Sequence, residues 1–227
     1  MNIKDETCNW LRKKACLHLH VPHIEVFLTL DFYDENGALT KHHRQRAKSW
    51  VRNAYNVFFN SLSSAALTGG YGSGTLSIRN TAGAVVSHAN GLANVLTYQS
   101  PAQSVIYGII AGRGASSFSF EDHTVDTVIE AGNGANQLFS PIGDAISTSY
   151  TAGTKTYKAT WSRVFNNNSG ADIALTNIGL VAWLGIWRST STYSNTLFSK
   201  DVLAPSQTIL DKAQLRVTYE ISMVFPA

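Results

Sequence analysis

Ile24-Glu25-Val26-Phe27-Leu28-Thr29-Leu30-Asp31-Phe32-Tyr33 runs straight into Asp34-Glu35-Asn36-Gly37. In the first stretch Ile24, Val26, Leu28, Leu30 and Phe32 alternate with Glu25, Phe27, Thr29, Asp31 and Tyr33. A period of two places the apolar set on one face of a strand. Asn36-Gly37 accepts the positive φ angles of a tight primed turn, so residues 38–44 return as a second strand. The same alternation closes the chain, where Leu215, Val217, Tyr219, Ile221, Met223 and Phe225 share a face. Tyr157, Ala159, Trp161, Arg163 and Phe165 alternate with Lys158, Thr160, Ser162 and Val164. Further strands are predicted at 105–111, 172–183 and 197–203, the last followed by a turn at Pro205. Short candidates lie at 75–79, 84–87, 93–98 and 124–130.

One helix is predicted over 45–62, from Ala47, Val51, Ala54, Tyr55, Phe58 and Leu62 at helical spacing. Trp50, Val57 and Phe59 widen its stripe. Trp50, Val51, Ala54, Tyr55 and Phe58 are expected to face a sheet. Many strands, regular turn signals and one helix predict an all-β chain: an antiparallel β-sandwich, jelly-roll-like, over residues 24–227. Residues 1–23 are expected as an N-terminal arm with one or two helical turns, ending at Pro22.

Composition narrows the function. The 227 residues suffice for one large domain that buries roughly 70% of its unfolded surface. Charged residues are 15% of the chain, against about 25% in an average protein; Ser, Thr, Asn and Gly take their place. With 11% aromatics, this excludes disorder over most of the chain. No run approaches the ~18 apolar residues of a membrane helix. A net charge of +3 is too small to argue for nucleic acid.

The distribution of charge says more. Lys41, His42, His43, Arg44, Arg46, Lys48 and Arg52 form a basic run without an acid. From Asn53 to Gly112 the sole charged side chain is Arg79. That span is expected in the core or against another subunit, because interface cores are depleted in charge. A neutral Gly/Ser/Asn-rich surface is the alternative. The start of the chain has early acids and no apolar h-region, so no secretory leader is expected. Cys8 and Cys16 are expected as free thiols in a reducing cytoplasm.

No catalytic centre emerges. Cys8, Cys16, His18, His20 and His23 lack the close paired spacing of zinc ligands and read as an arm with alternating histidines. Glu121, Asp122 and Asp126 surround His123. Such a cluster can serve acid/base or calcium chemistry, but the calcium-loop pattern is missing, and the segment reads as a polar loop. There is no Gly-x-Ser-x-Gly elbow. Gly112-Arg113-Gly114-Ala115-Ser116-Ser117 lacks the Lys-Ser/Thr ending of a phosphate loop. No enzyme activity, cofactor or metal is expected. Tyr98, Trp161, Trp183, Trp187 and Tyr193 read as core, with a sugar-stacking platform as the alternative. The candidate contact residues are Trp10, Arg12, Lys13 and Lys14 in the arm and His42, His43, Arg44 and Arg46 in the basic run; a solvated basic face is the other reading.

Several segments taken together carry a resemblance. They are Ser49-Trp50-Val51-Arg52-Asn53-Ala54-Tyr55-Asn56, the stretch Glu121–Gly132, Arg163-Val164-Phe165-Asn166-Asn167-Asn168-Ser169-Gly170-Ala171-Asp172-Ile173, Asn177-Ile178-Gly179-Leu180, Leu197–Leu203 and Leu215–Ser222. In pattern and order, over residues 24–227, the chain resembles the β-rich virion structural proteins of tailed bacteriophages. The resemblance implies a capsid decoration, neck or tail component. Its partners would be other virion proteins and further copies of itself, and it would be assembled in the host cytoplasm. It brings no catalytic residues with it. A carbohydrate-binding or receptor-binding β-sandwich module is the alternative.

Overall fold

The computed structural model describes residues 3–47, 49–62, 78–86, 95–186 and 192–226. Its elements are α1 (Ile3–His18), β1 (His23–Tyr33), β2 (Leu39–Arg46), α2 (Arg52–Leu62), β3 (Ile78–Arg79), β4 (Val85–Val86), β5 (Val95–Thr97), β6 (Gly108–Gly112), β7 (Ser147–Thr151), β8 (Thr156–Asn166), β9 (Ile173–Ile186), β10 (Thr192–Ile209) and β11 (Gln214–Val224). One antiparallel sheet has the order β2-β1-β11-β8-β7. A second has the order β10-β9-β5, with β6 also on β9.

The alternation read from the sequence explains the first sheet. Register sets Leu28, Tyr219 and Trp161 in one cross-strand row, Leu30, Val217 and Arg163 in the next, and Phe32, Leu215 and Phe165 in a third. These rows face the second sheet, and Ile173, Leu175, Ile178 and Leu180 complete the same core. Each buried Leu or Ile contributes about 1.5–3 kcal/mol, so the two inner faces hold the sheets together as a sandwich. Ile24, at the open end of β1, is 49% exposed instead. The chain changes sheet between β8 and β9 and again between β10 and β11. Because β8 pairs with β11 and β9 with β10, these four strands are one long ribbon folded over. The pairs β1–β2 and β7–β8 are local hairpins, so this strand order does not establish a jelly-roll path.

The helix expected from residue 45 begins at Arg52. Gln45 and Arg46 finish β2, and residues 49–51 run along β10: Val51 donates its N–H to Phe198 O, and Lys200 to Ser49 O. An open strand edge offers backbone bonds that a helix there would forgo. The roll of α2 also differs. Asn53 and Ala54 are buried, as is Val57, while Tyr55 and Phe58 are 43% and 56% exposed. The Asn53 amide explains this, because it donates to Arg79 O and accepts from Arg79 N, both at 2.9 Å. Phe58→Ala should therefore cost under about 1 kcal/mol and Val57→Ala about 2 kcal/mol. Urea unfolding of both variants checks the order.

The arm is a second helix, α1, of 16 residues. Residues 3–18 contain no Gly or Pro to break a helix. The strand expected at 124–130 is reduced to a single bridge, Gly112 to Val128, because Thr127 takes a φ of 44°. The turn expected at Pro205 is a register shift within β10. The polar, exposed β7 gave no alternation signal. Lys48, Trp187, the strand candidates at 75–77 and 87, and much of the charge-poor span lie outside the described residues.

Candidate interaction surface

The basic run divides between two faces. Register pairs Phe27 with Arg46, Thr29 with Arg44 and Asp31 with His42, all on the outer side of the first sheet. There His42 lies 2.6 Å from Asp31, Arg46 2.8 Å from Glu25 and Arg44 3.5 Å from Glu220, which Lys158 also reaches at 3.0 Å. The Arg44 guanidinium stacks 3.9 Å from the Phe27 ring centroid. His43 pairs with Leu30 on the opposite face and meets Gln45 at 3.1 Å. His42, Arg44 and Arg46 are thus matched by acids within the sheet. Exposed pairs of this kind contribute only ~0–1 kcal/mol each, so the ladder patterns the surface more than it stabilises it.

The other candidates sit on α1. Trp10 is 56% exposed, with the Lys14 ammonium 4.4 Å from its ring centroid; Arg12 and Lys13 are exposed beside them. A groove of about 540 Å³ separates α1 from the body. The body side of the groove mixes Ile24, Val26, Ala47, Trp50 and Tyr55 with the charged Glu25 and Arg46. Cys8, Asn9 and Arg12 face it from the helix. Asn9 Nδ2 donates to Glu25 Oε1 at 3.0 Å. Burial pushes the Glu25 carboxyl up, but the bond from Asn9 and the charges of Arg46, His23 and Lys13 outweigh it and hold the group below its usual range. At the groove mouth the Trp50 and Tyr55 ring centroids are 6.2 Å apart, and Tyr55 and Phe120 5.7 Å.

The acidic loop has a structural partner that sequence reasoning missed. Lys200 is wholly buried, with its ammonium 3.1 Å from Asp122, 2.9 Å from Asp126 and 2.8 Å from Ser116 Oγ. Its three N–H groups are satisfied. The register shift between Leu197 and Ser199 sets Lys200 on the same outer face as Leu197, where simple alternation would oppose them. Leu197 packs there with Val125, Ile110 and Val181. The loop lies so close that a Cβ at Gly179 would overlap Val125. On the inner face Asp201 accepts from Tyr219 Oη at 2.8 Å and from Ser199 Oγ at 3.0 Å. The available signal was Lys200-Asp201, two adjacent charges in the middle of a predicted strand. Glu121 turns away to Arg52 at 3.2 Å. Asp122 and Asp126, on either side of His123, therefore clamp the loop to the second sheet.

Burial raises the Asp126 carboxyl, yet the bonds from Lys200 and Ser116 and the Lys200 charge outweigh it and leave it lowered. A carboxyl lowered on folding contributes stability above its unfolded value, about pH 4, and loses it as pH falls through the lower folded value. The Asp126 contribution to unfolding free energy should be level from neutral pH to about pH 5 and decline below about pH 4. Asp126→Asn should flatten that decline in urea titrations at stepped pH.

Trp161 and Tyr98 meet edge to face at 5.4 Å within the core, and Trp183 stacks on Tyr107 at 6.0 Å. Among the described residues Tyr98, Trp161 and Trp183 thus divide between two ring pairs, and the side chains of Trp187 and Tyr193 lie outside the description. Among the described residues no group of three or more His, Cys, Asp or Glu is arranged to hold a metal. No described helix is long and apolar enough to cross a membrane. No family model, curated protein or solved structure matches the chain.

Proposed function

We propose that the chain is a structural subunit working through protein–protein contacts, and specifically a virion component of the tailed-phage type, in a capsid decoration, neck or tail position. One observation carries the assembly reading. Exposed apolar side chains collect on α1 and the link after it (Trp10, Leu11, Leu17, Leu19, Val21), at Ile24 where β1 begins, and at Tyr55 across the groove. Exposed apolar patches of this kind mark interaction sites. The phage assignment rests on the resemblance of the sequence segments from Ser49 to Ser222, in pattern and order, to β-rich virion proteins. Particles banded on a density gradient from cells producing the chain should contain it at a fixed copy number per particle. Its absence from every banded particle would overturn the reading.

The exposed rings of Tyr55 and Phe120, beside the half-buried Trp50, favour a second reading, a glycan-binding module, because such rings can stack on sugars. Specific micromolar binding on a glycan array, lost in Tyr55→Ala, would select it.

A further inference from the structure

We propose that the Lys200 amine condenses with the Asp122 carboxyl, forming an amide that fastens the loop 113–130 covalently to β10. Such a link is independent of any assembly role. The Lys200 side chain has no exposed surface. Its backbone is fixed on both sides, paired with Gly179 of β9 and donating its N–H to Ser49 O at 3.0 Å. Nζ stands 3.1 Å from Asp122 Oδ2 and 2.9 Å from Asp126 Oδ2. Bonds within the loop hold both carboxylates in place. Ser119 donates its N–H to Asp122 Oδ2 at 2.9 Å, and Ser116 Oγ donates to Asp126 Oδ2. Two groups held at such distances react as if each met the other at about 10⁵ M or more.

An ordinary ion pair of one ammonium and one carboxylate has no base to carry protons. Here the second carboxylate meets the same nitrogen and fills that place. Asp126 takes a proton from the ammonium and passes it to an oxygen of Asp122. The freed amine adds to Asp122 Cγ, forming the C–N bond. Asp126 takes a second proton from the nitrogen and delivers it to the hydroxyl, which leaves as water when the C–O bond breaks. The third proton stays on the amide, and Asp126 ends ionised, as it began. No further reactant enters. Burial favours the neutral product, because an ammonium and a carboxylate held out of water carry a desolvation cost that an amide does not. Both carboxylates keep an edge in solvent, which gives the expelled water its exit. Against the upward push of burial, the bonds from Lys200 and Ser116 hold the Asp126 carboxyl low. It takes up a proton reluctantly, so closure is slow. Freshly folded chain holds the ion pair, and aged chain the amide.

Intact-mass spectrometry of the full-length chain, held folded at neutral pH over days, tests it. The expected result is loss of one water from the sequence mass, growing with time. A tryptic digest of the aged chain should show Lys200 resisting cleavage and joined to Asp122. The same chain held in urea should keep its full mass, because the geometry is gone. Asp122→Ala should also keep its full mass, and Asp126→Asn should close about 100-fold more slowly. Far-ultraviolet circular dichroism identifies variants that keep the sandwich folded. A folded wild-type chain that keeps its full mass overturns the proposal, whatever the variants do. So does a water lost equally from folded Asp122→Ala, a link joining Lys200 to Asp126, or closure of Asp126→Asn at the wild-type rate.

Discussion

Lys200→Ala should destabilise the protein by about 3 kcal/mol, the low end of what removing one partner of a buried ion pair costs. The low end applies because Asp122 and Asp126 retain 20% and 22% side-chain exposure, so water reaches them once the ammonium is gone. The loss has two parts. Two carboxylates face each other without a cation, and the space of a wholly buried side chain is left empty. Lys200→Met separates them by keeping volume and removing charge. Combined with Asp122→Asn and Asp126→Asn, it should recover much of the stability, because no unpaired charge remains. Limited proteolysis should cut between Gly114 and Glu130 in Lys200→Ala well before wild type, since that loop is what the ammonium holds. A Lys200→Ala variant within about 0.5 kcal/mol of wild type would mean the loop docks by its apolar contacts alone.

Arg163→Ala should cost about 3–5 kcal/mol. Arg163 is 2% exposed and ends the central core row beside Val217. Its guanidinium donates to Ile109 O at 2.8 Å, Ser104 O at 2.5 Å and Ser140 Oγ at 2.6 Å. One side chain thereby ties β6, the loop before it and the loop before β7 to the first sheet. Burial lowers its pKa to about 10, so it stays charged at neutral pH. Truncation leaves two buried acceptors, Ile109 O and Ser140 Oγ, and the half-buried Ser104 O without this donor, and an unmet buried polar group costs about 1–3 kcal/mol. Arg163→Lys should rescue little, because one ammonium cannot reproduce the planar spread of a guanidinium. Chemical denaturation of both variants decides it; full rescue by Lys would show that charge, not geometry, is what the site needs.

The legible part of this fold was the part governed by period two. Leu28, Leu30 and Phe32 on β1 and Leu215, Val217 and Tyr219 on β11 face inward as their alternation requires. The less legible parts are set by contacts distant in sequence. Residues 49–51 follow helical spacing but take the free edge of β10. The roll of α2 answers to Arg79, 26 residues away. Lys200 owes its face to a bulge that no local pattern announces. The surface was legible only in part. Trp10, Arg12, Lys13 and Lys14 do stand exposed on one helix, but the acids that match His42, Arg44 and Arg46 come from β1 and β11. Their pairing needs the sheet register, not the sequence of the run.

The most direct test of the assembly role is a cryo-electron microscopy map of the particle that contains this chain. The account predicts that the outward arc of α1, at Trp10 and Leu17, and the Trp50–Tyr55 corner of the groove are covered by protein, with the two-sheet body unchanged. A map in which the chain occupies its place with α1 and that corner both facing solvent would contradict it.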